Sequence, residues 1–195
     1  MEVSLWSHVA QVRQQSPLVH NITNYVVMNN TANALLAAGA SPIMAHAHPE
    51  VKDMVALAGC LVINIGTLDE YWVKSMLLAA EEAFKTNKPW ILDPVGAGAT
   101  PFRDQTLQQL LRFKPTIIRG NASEIISLAK ANTSRTKGVD STAESSEAIG
   151  AARSLVEAYG AVVCVSGATD IIVDPTQTIF IDNGHPLMTK VTGLG

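Results

Sequence analysis

The chain has 195 residues, of which 47% are hydrophobic and 16% charged, and its formal net charge is −3. This composition supplies enough apolar surface for a core and excludes global disorder. A mild acidic balance without a basic face excludes a nucleic-acid partner, but backbone amides can still bind a phosphorylated ligand.

The length fits one domain. Val3 to Gln15 reads as a helix, with Leu5, Val9 and Val12 on one face. No basic region followed by an apolar block stands at the N-terminus, and no apolar run reaches the roughly 18 residues of a membrane span. The protein is therefore expected to be soluble and cytoplasmic, with no membrane partner. Leu18 to Asn21 reads as a short strand, Tyr25 to Ala38 as a helix stopped by Gly39, and Pro42 to Ala45 as a second strand. A helix over Glu50 to Ala58 precedes a buried strand at Leu61 to Ile65. Asp69 to Lys85 is a long amphipathic helix, Trp90 to Leu92 a strand, Gln105 to Arg112 a helix and Thr116 to Ile118 a strand. Asn121 caps a helix running to Ala131, and Asn132 to Ser146 reads as a polar loop. A helix over Glu147 to Tyr159 leads to a strand at Ala161 to Val165. Ile171 to Val173 and Thr178 to Ile181 form a hairpin. Cys60 and Cys164 lie in apolar, strand-like runs and read as buried free thiols.

This alternation predicts an α/β fold: a mostly parallel sheet with right-handed crossovers and helices on both faces. Such sheets bind ligands at the carboxyl ends of their strands, so the residues that follow each strand matter most. Asp93-Pro94-Val95-Gly96-Ala97-Gly98-Ala99-Thr100 offers a carboxylate and two glycines, which suits a metal–phosphate site as well as a plain surface loop. Arg119 to Glu124 offers a phosphate clamp and an acid, or simply an acidic helix start. Ser166, between a strand and a hairpin, can donate to phosphate or merely form a junction. Asn24 and Met44 suit a small heteroaromatic ligand, although Met44 also suits core packing. His20 and His46 have no ligand-spaced partners and read as structural rather than metal-binding. Gly193-Leu194-Gly195 is a G-x-G segment of a kind that opens an anion-binding helix.

Read together, these blocks are more specific than any one of them. His20 to Val27, Asn64 to Leu68, Ile91 to Thr100, Ile118 to Glu124, Lys137 to Ser141 and Leu187 to Gly193 closely resemble the hydroxyethylthiazole kinase family of the ribokinase-like superfamily. The resemblance implies a single ribokinase-like α/β sandwich over residues 1–195 and a homotrimer with active sites between subunits. It also implies ATP-dependent phosphorylation of the primary alcohol of 4-methyl-5-(2-hydroxyethyl)thiazole, a step of thiamin biosynthesis and salvage. By the same resemblance Asp93 and Glu124 support Mg2+, and Arg119 and Ser166 contact ATP. Asn24, Met44 and Gly193 line the thiazole pocket, Met44 from across a subunit interface. The family motif continues with a cysteine directly after the position of Gly195, which neither Cys60 nor Cys164 matches. The expectation is a domain incomplete at its C-terminus, lacking the C-terminal helices and the main anion hole, with turnover reduced accordingly.

Overall fold

The computed structural model describes residues 5–132 and 144–193. The expected helix start at Val3, most of the expected loop at 132–146, the Lys137 to Ser141 block and Gly195 lie outside the described residues. Eight strands form one sheet in the order β2-β1-β3-β4-β5-β6-β7-β8. They are β1 (Leu18–Ile22), β2 (Ser41–Ile43), β3 (Cys60–Asn64), β4 (Trp90–Asp93), β5 (Ile117–Asn121), β6 (Val162–Ser166), β7 (Asp170–Val173) and β8 (Thr178–Ile181). The first six are parallel, and β7 and β8 add the expected antiparallel hairpin.

The helices are α1 (Leu5–Gln15), α2 (Met28–Ala38), α3 (Val51–Leu57), α4 (Glu70–Lys85), α5 (Pro101–Leu111), α6 (Ala122–Asn132) and α7 (Glu144–Tyr159). Right-handed crossovers assign their faces. The β1–β2 connection runs toward one edge of the sheet and the later connections toward the other, so α2 falls on one face and α3 to α7 on the opposite one. The contacts agree: α3 to α7 pack in a continuous row, whereas α1 packs on α2 and α2 on β2. The core lies under the α3–α7 row. There Leu61, Ile63, Leu92, Ile118 and Val163 are buried, while Ile91, Ile117, Val162 and Cys164, pointing the other way, are half-buried. Each fully buried aliphatic side chain contributes about 1.5–3 kcal/mol.

Local chemistry sets the element ends. Asp69 accepts the Trp72 N–H at 2.8 Å and starts α4, whose buried Trp72, Met76, Ala79, Ala80 and Ala83 follow helical spacing. Gly39, at φ +96°, closes α2 in the left-handed conformation that glycine tolerates. Helix α5 starts earlier than expected because Thr100 caps it and Pro101 occupies its first turn. Helix α2 starts later than expected: the Asn24 side chain takes the Val26 and Val27 N–H groups and holds residues 25–27 in a turn. A 3-10 helix over Pro186–Lys190 has no counterpart in the sequence reading. Cys60 and Cys164 are free thiols, half-buried rather than buried, on strands separated by β4 and β5. No described helix is long and apolar enough to cross a membrane.

His20 carries a pH dependence. It is fully buried in β1, with Nε2 2.7 Å from the Ala45 carbonyl and Nδ1 without a partner. Burial lowers its pKa below the ordinary 6.5. As the pH falls below about 6.5 the unfolded chain therefore takes up a proton before the folded one does, and stability is lost until the folded pKa is passed. In urea unfolding, the stability advantage of wild type over His20→Gln should shrink between pH 7.5 and 5.5; a constant difference would refute this.

Candidate active site

The ends of β1 and β3 are the point where strand order reverses, the usual position of a ligand crevice in such sheets. A cavity of about 410 Å³ opens there and continues along the ends of β4, β5 and β6. Asn24, Asp93, Arg119, Glu124, Ser166 and Gly193 all line it, although they are spread over 170 residues of sequence. Met44 does not line it. It lies half-buried just beyond β2, at the sheet edge, where its carbonyl is 3.3 Å from His46 Nδ1.

Asp93 ends β4, and its pKa is pushed up to about 6. Burial is the main cause and the Glu124 charge the second; a hydrogen bond from Asn64 and the charge of Arg119 act in the opposite direction. Asn64 Nδ2 donates to Asp93 Oδ2 at 2.5 Å, and Asn64 Oδ1 accepts from Asn24 Nδ2 at 2.7 Å and from the Gly66 N–H at 2.9 Å. The sequence reading placed Asn64 in a family-like block without giving it a role. Its signal was a polar side chain at the carboxyl end of an apolar strand, in register with Asp93.

Glu124 has two structural duties. Its Oε2 accepts the Asn121 N–H at 2.9 Å while Asn121 Oδ1 accepts the Glu124 N–H at 3.0 Å, a reciprocal cap on α6. Its Oε1 accepts the Gly96 N–H at 3.0 Å, tying the loop after β4 to that helix. The loop after β4 was open to two readings, a phosphate site or a plain loop, and its glycine amides are already engaged: Gly96 N–H is taken by Glu124 and Gly98 N–H by Asp104 at 2.8 Å. Ala97 and Ala99 N–H bond to Pro94 and Gly96 carbonyls. The anions this loop holds are the protein's own carboxylates. Arg103, which the sequence reading passed over, fixes the neighbouring loop: its guanidinium donates to the carbonyls of Ile65, Gly66 and Val95 at 2.6, 2.7 and 2.9 Å.

Among the described residues no group of three or more His, Cys, Asp and Glu could hold a metal ion. His20 bonds to the Ala45 carbonyl, and His46 stacks on Trp72 with ring centroids 4.4 Å apart. Two carboxylates on one wall suit a hard divalent cation whose remaining ligands are water and substrate phosphate rather than protein. Arg119, exposed on the cavity side of β5, can meet phosphate oxygens.

Comparison with known proteins agrees with this fold. The family model for the hydroxyethylthiazole kinase family matches residues 9–195. A hydroxyethylthiazole kinase of Syntrophus aciditrophicus (strain SB) is 57% identical over 191 residues, covering 97% of this chain and 71% of the relative. The structure of a hydroxyethylthiazole kinase from Pyrococcus horikoshii OT3 superposes with a TM-score of 0.87 at 44% identity, over 96% of this chain and 70% of that one. A Bacillus subtilis pyridoxal kinase, solved as an ADP complex, gives a TM-score of 0.58 at 17% identity over 87% of this chain and 76% of its own, a likeness of fold alone.

Two outcomes follow from the packing at Asp93 and Gly66. The raised pKa of Asp93 means that its charge is paid for in fold stability. Above pH 6 both folded and unfolded forms are ionised and the folded one bears the penalty; as pH falls through 6 toward 3.8 the penalty disappears. Asp93→Asn should therefore raise unfolding stability on the order of 2 kcal/mol at pH 7.5 and give no gain near pH 3.5; equal effects at both pH values would contradict this. At Gly66 an added Cβ would lie 2.5 Å from Asn24 Nδ2. Gly66→Ala should cost about 1–3 kcal/mol in denaturant unfolding, and a neutral outcome would show that Asn24 has room to move.

Proposed function

We infer that this chain, which belongs to the hydroxyethylthiazole kinase family, transfers the γ-phosphoryl group of ATP to the primary alcohol of 4-methyl-5-(2-hydroxyethyl)thiazole. The observation that carries this reading is the single cavity that gathers Asn24, Asp93, Arg119, Glu124, Ser166 and Gly193 at the carboxyl ends of five parallel strands. Phosphoryl transfer through a loose transition state asks the protein mainly to position the reactants and neutralise charge. The residues divide along the cavity accordingly. Asn24 and Gly193, near β1, face the alcohol, and Arg119 and Ser166, at β5 and β6, face the nucleotide.

Asp93 and Glu124 lie between these groups and are the residues that would hold Mg2+. The bound ion would neutralise phosphate charge during transfer. The backbone bonds to Glu124 leave each of its oxygens a lone pair, enough to accept from metal-bound water. Arg119 brings a permanent charge to the phosphates. Met44 has no place in the cavity of one chain, which fits a homotrimer in which it would complete a neighbour's thiazole pocket. One ribokinase-like domain working in the cytoplasm accords with this reading.

The test is incubation of the purified protein with ATP, Mg2+ and the thiazole alcohol, followed by mass spectrometry of the product. A thiazole monophosphate is expected, with kcat/KM reduced about 10²–10³-fold in Arg119→Ala. Phosphorylation of a different alcohol in preference to the thiazole would overturn the substrate assignment.

A further inference from the structure

The geometry points to Asn64 as a positioning residue that couples the alcohol side of the cavity to its carboxylate side. The inference rests on the function proposed above and concerns a residue to which neither the sequence motifs nor that proposal gives a task.

Three neighbouring strand ends supply one chain of hydrogen bonds. Asn24 follows β1, Asn64 ends β3 and Asp93 ends β4, and β1, β3 and β4 are adjacent in the sheet. The chain has a forced direction. Asn24 Oδ1 accepts the backbone N–H groups of Val26 at 3.0 Å and Val27 at 3.1 Å. Backbone N–H groups can only donate, so the oxygen of Asn24 must face them and its Nδ2 must face Asn64. Asn64 Oδ1 then accepts from Asn24 Nδ2 at 2.7 Å and from the Gly66 N–H at 2.9 Å. This again forces the nitrogen outward, where Nδ2 donates to Asp93 Oδ2 at 2.5 Å.

Two consequences follow for the ligands. With its oxygen saturated and one N–H committed, Asn24 can meet the alcohol substrate only as a donor, through its second Nδ2 hydrogen. It therefore selects for an acceptor on the substrate, a ring nitrogen or the hydroxyl oxygen. Second, Asn64 holds one oxygen of Asp93 and so fixes the carboxylate plane presented to the metal and phosphates. Asn24 is only 7% exposed, and hydrogen bonds aligned in a weakly solvated chain strengthen one another. An acceptor placed on Asn24 polarises its amide, strengthens the bond to Asn64 and thereby steadies the bond to Asp93. Occupation of the alcohol site thus favours the carboxylate geometry that receives Mg2+ and nucleotide.

Calorimetry on the full chain tests this. The affinity for 4-methyl-5-(2-hydroxyethyl)thiazole is measured alone and with Mg2+ plus a non-hydrolysable ATP analogue. The affinity for the analogue is measured with and without Mg2+. Wild type should bind the thiazole alcohol about fivefold or more tightly when Mg2+ and the analogue are present. Asn64→Leu, similar in volume but unable to hydrogen-bond, should bring that ratio to within about twofold of one while leaving metal-free affinity for the analogue unchanged. Should Asn64→Leu not fold, Asn64→Ser, whose hydroxyl is too short to span both partners, gives the same readout. A ratio retained in the variant, or no coupling in a wild type that binds both ligands, overturns the relay. Equal loss of metal-free affinity shows a purely structural role and also overturns it. If wild type binds the analogue but not the thiazole alcohol, the proposed substrate falls and the relay falls with it.

Discussion

The site depends on a carboxylate, Asp93, held where partial burial and a neighbouring acid make its charge costly. Asp93 is half-buried at the end of β4 and feels the charge of Glu124, and the result is a carboxyl group with its pKa pushed up to about 6. A protein that only had to fold would place an amide there. The backbone enforces the arrangement: Glu124 is bound to α6 by its own cap and to the loop after β4 through Gly96. Glu124 cannot move away without breaking bonds to two main-chain amides, nor Asp93 without breaking its bond from the Asn64 side chain. A bound cation would relieve this electrostatic strain, and perturbed carboxyl groups of this kind cluster at functional sites.

The surrounding bonds serve the same end. Arg103 fastens the loops after β3 and β4 through three carbonyls, so the floor of the cavity is tied from beneath α5. Asn64 holds Asp93 from the β3 side. The glycine-rich loop after β4 contributes shape rather than free amides, because its N–H groups already hold Glu124 and Asp104. Among the described residues that line the cavity, Arg119 is the cationic side chain.

Much of this was legible in the sequence, for identifiable reasons. The strands were readable because a parallel sheet buries short runs such as Leu61 to Ile65 on its helix-covered face. Asp93 and Arg119 were readable because they directly follow such runs, and Glu124 because it stands in the first turn of the next helix. What escaped was cooperation between distant residues. Nothing in the text around Arg103 shows that it reaches carbonyls some 38 positions earlier. Nothing around Asn24 shows that its oxygen is consumed by its own turn and delays the start of α2. The early start of α5 was a local signal, Thr100 followed by Pro101, outweighed by a weak apolar period. Met44 marks a different limit, since one chain offers it no contact with the cavity.

The most direct measurement is the titration of the Asp93 carboxyl by carbon-detected NMR, in wild type and in Glu124→Gln. The account predicts a midpoint near 6 in wild type and a lower one once the neighbouring charge is removed. A wild-type midpoint near the ordinary 3.8, unmoved by Glu124→Gln, would contradict it, because Asp93 would then be neither desolvated nor coupled to Glu124.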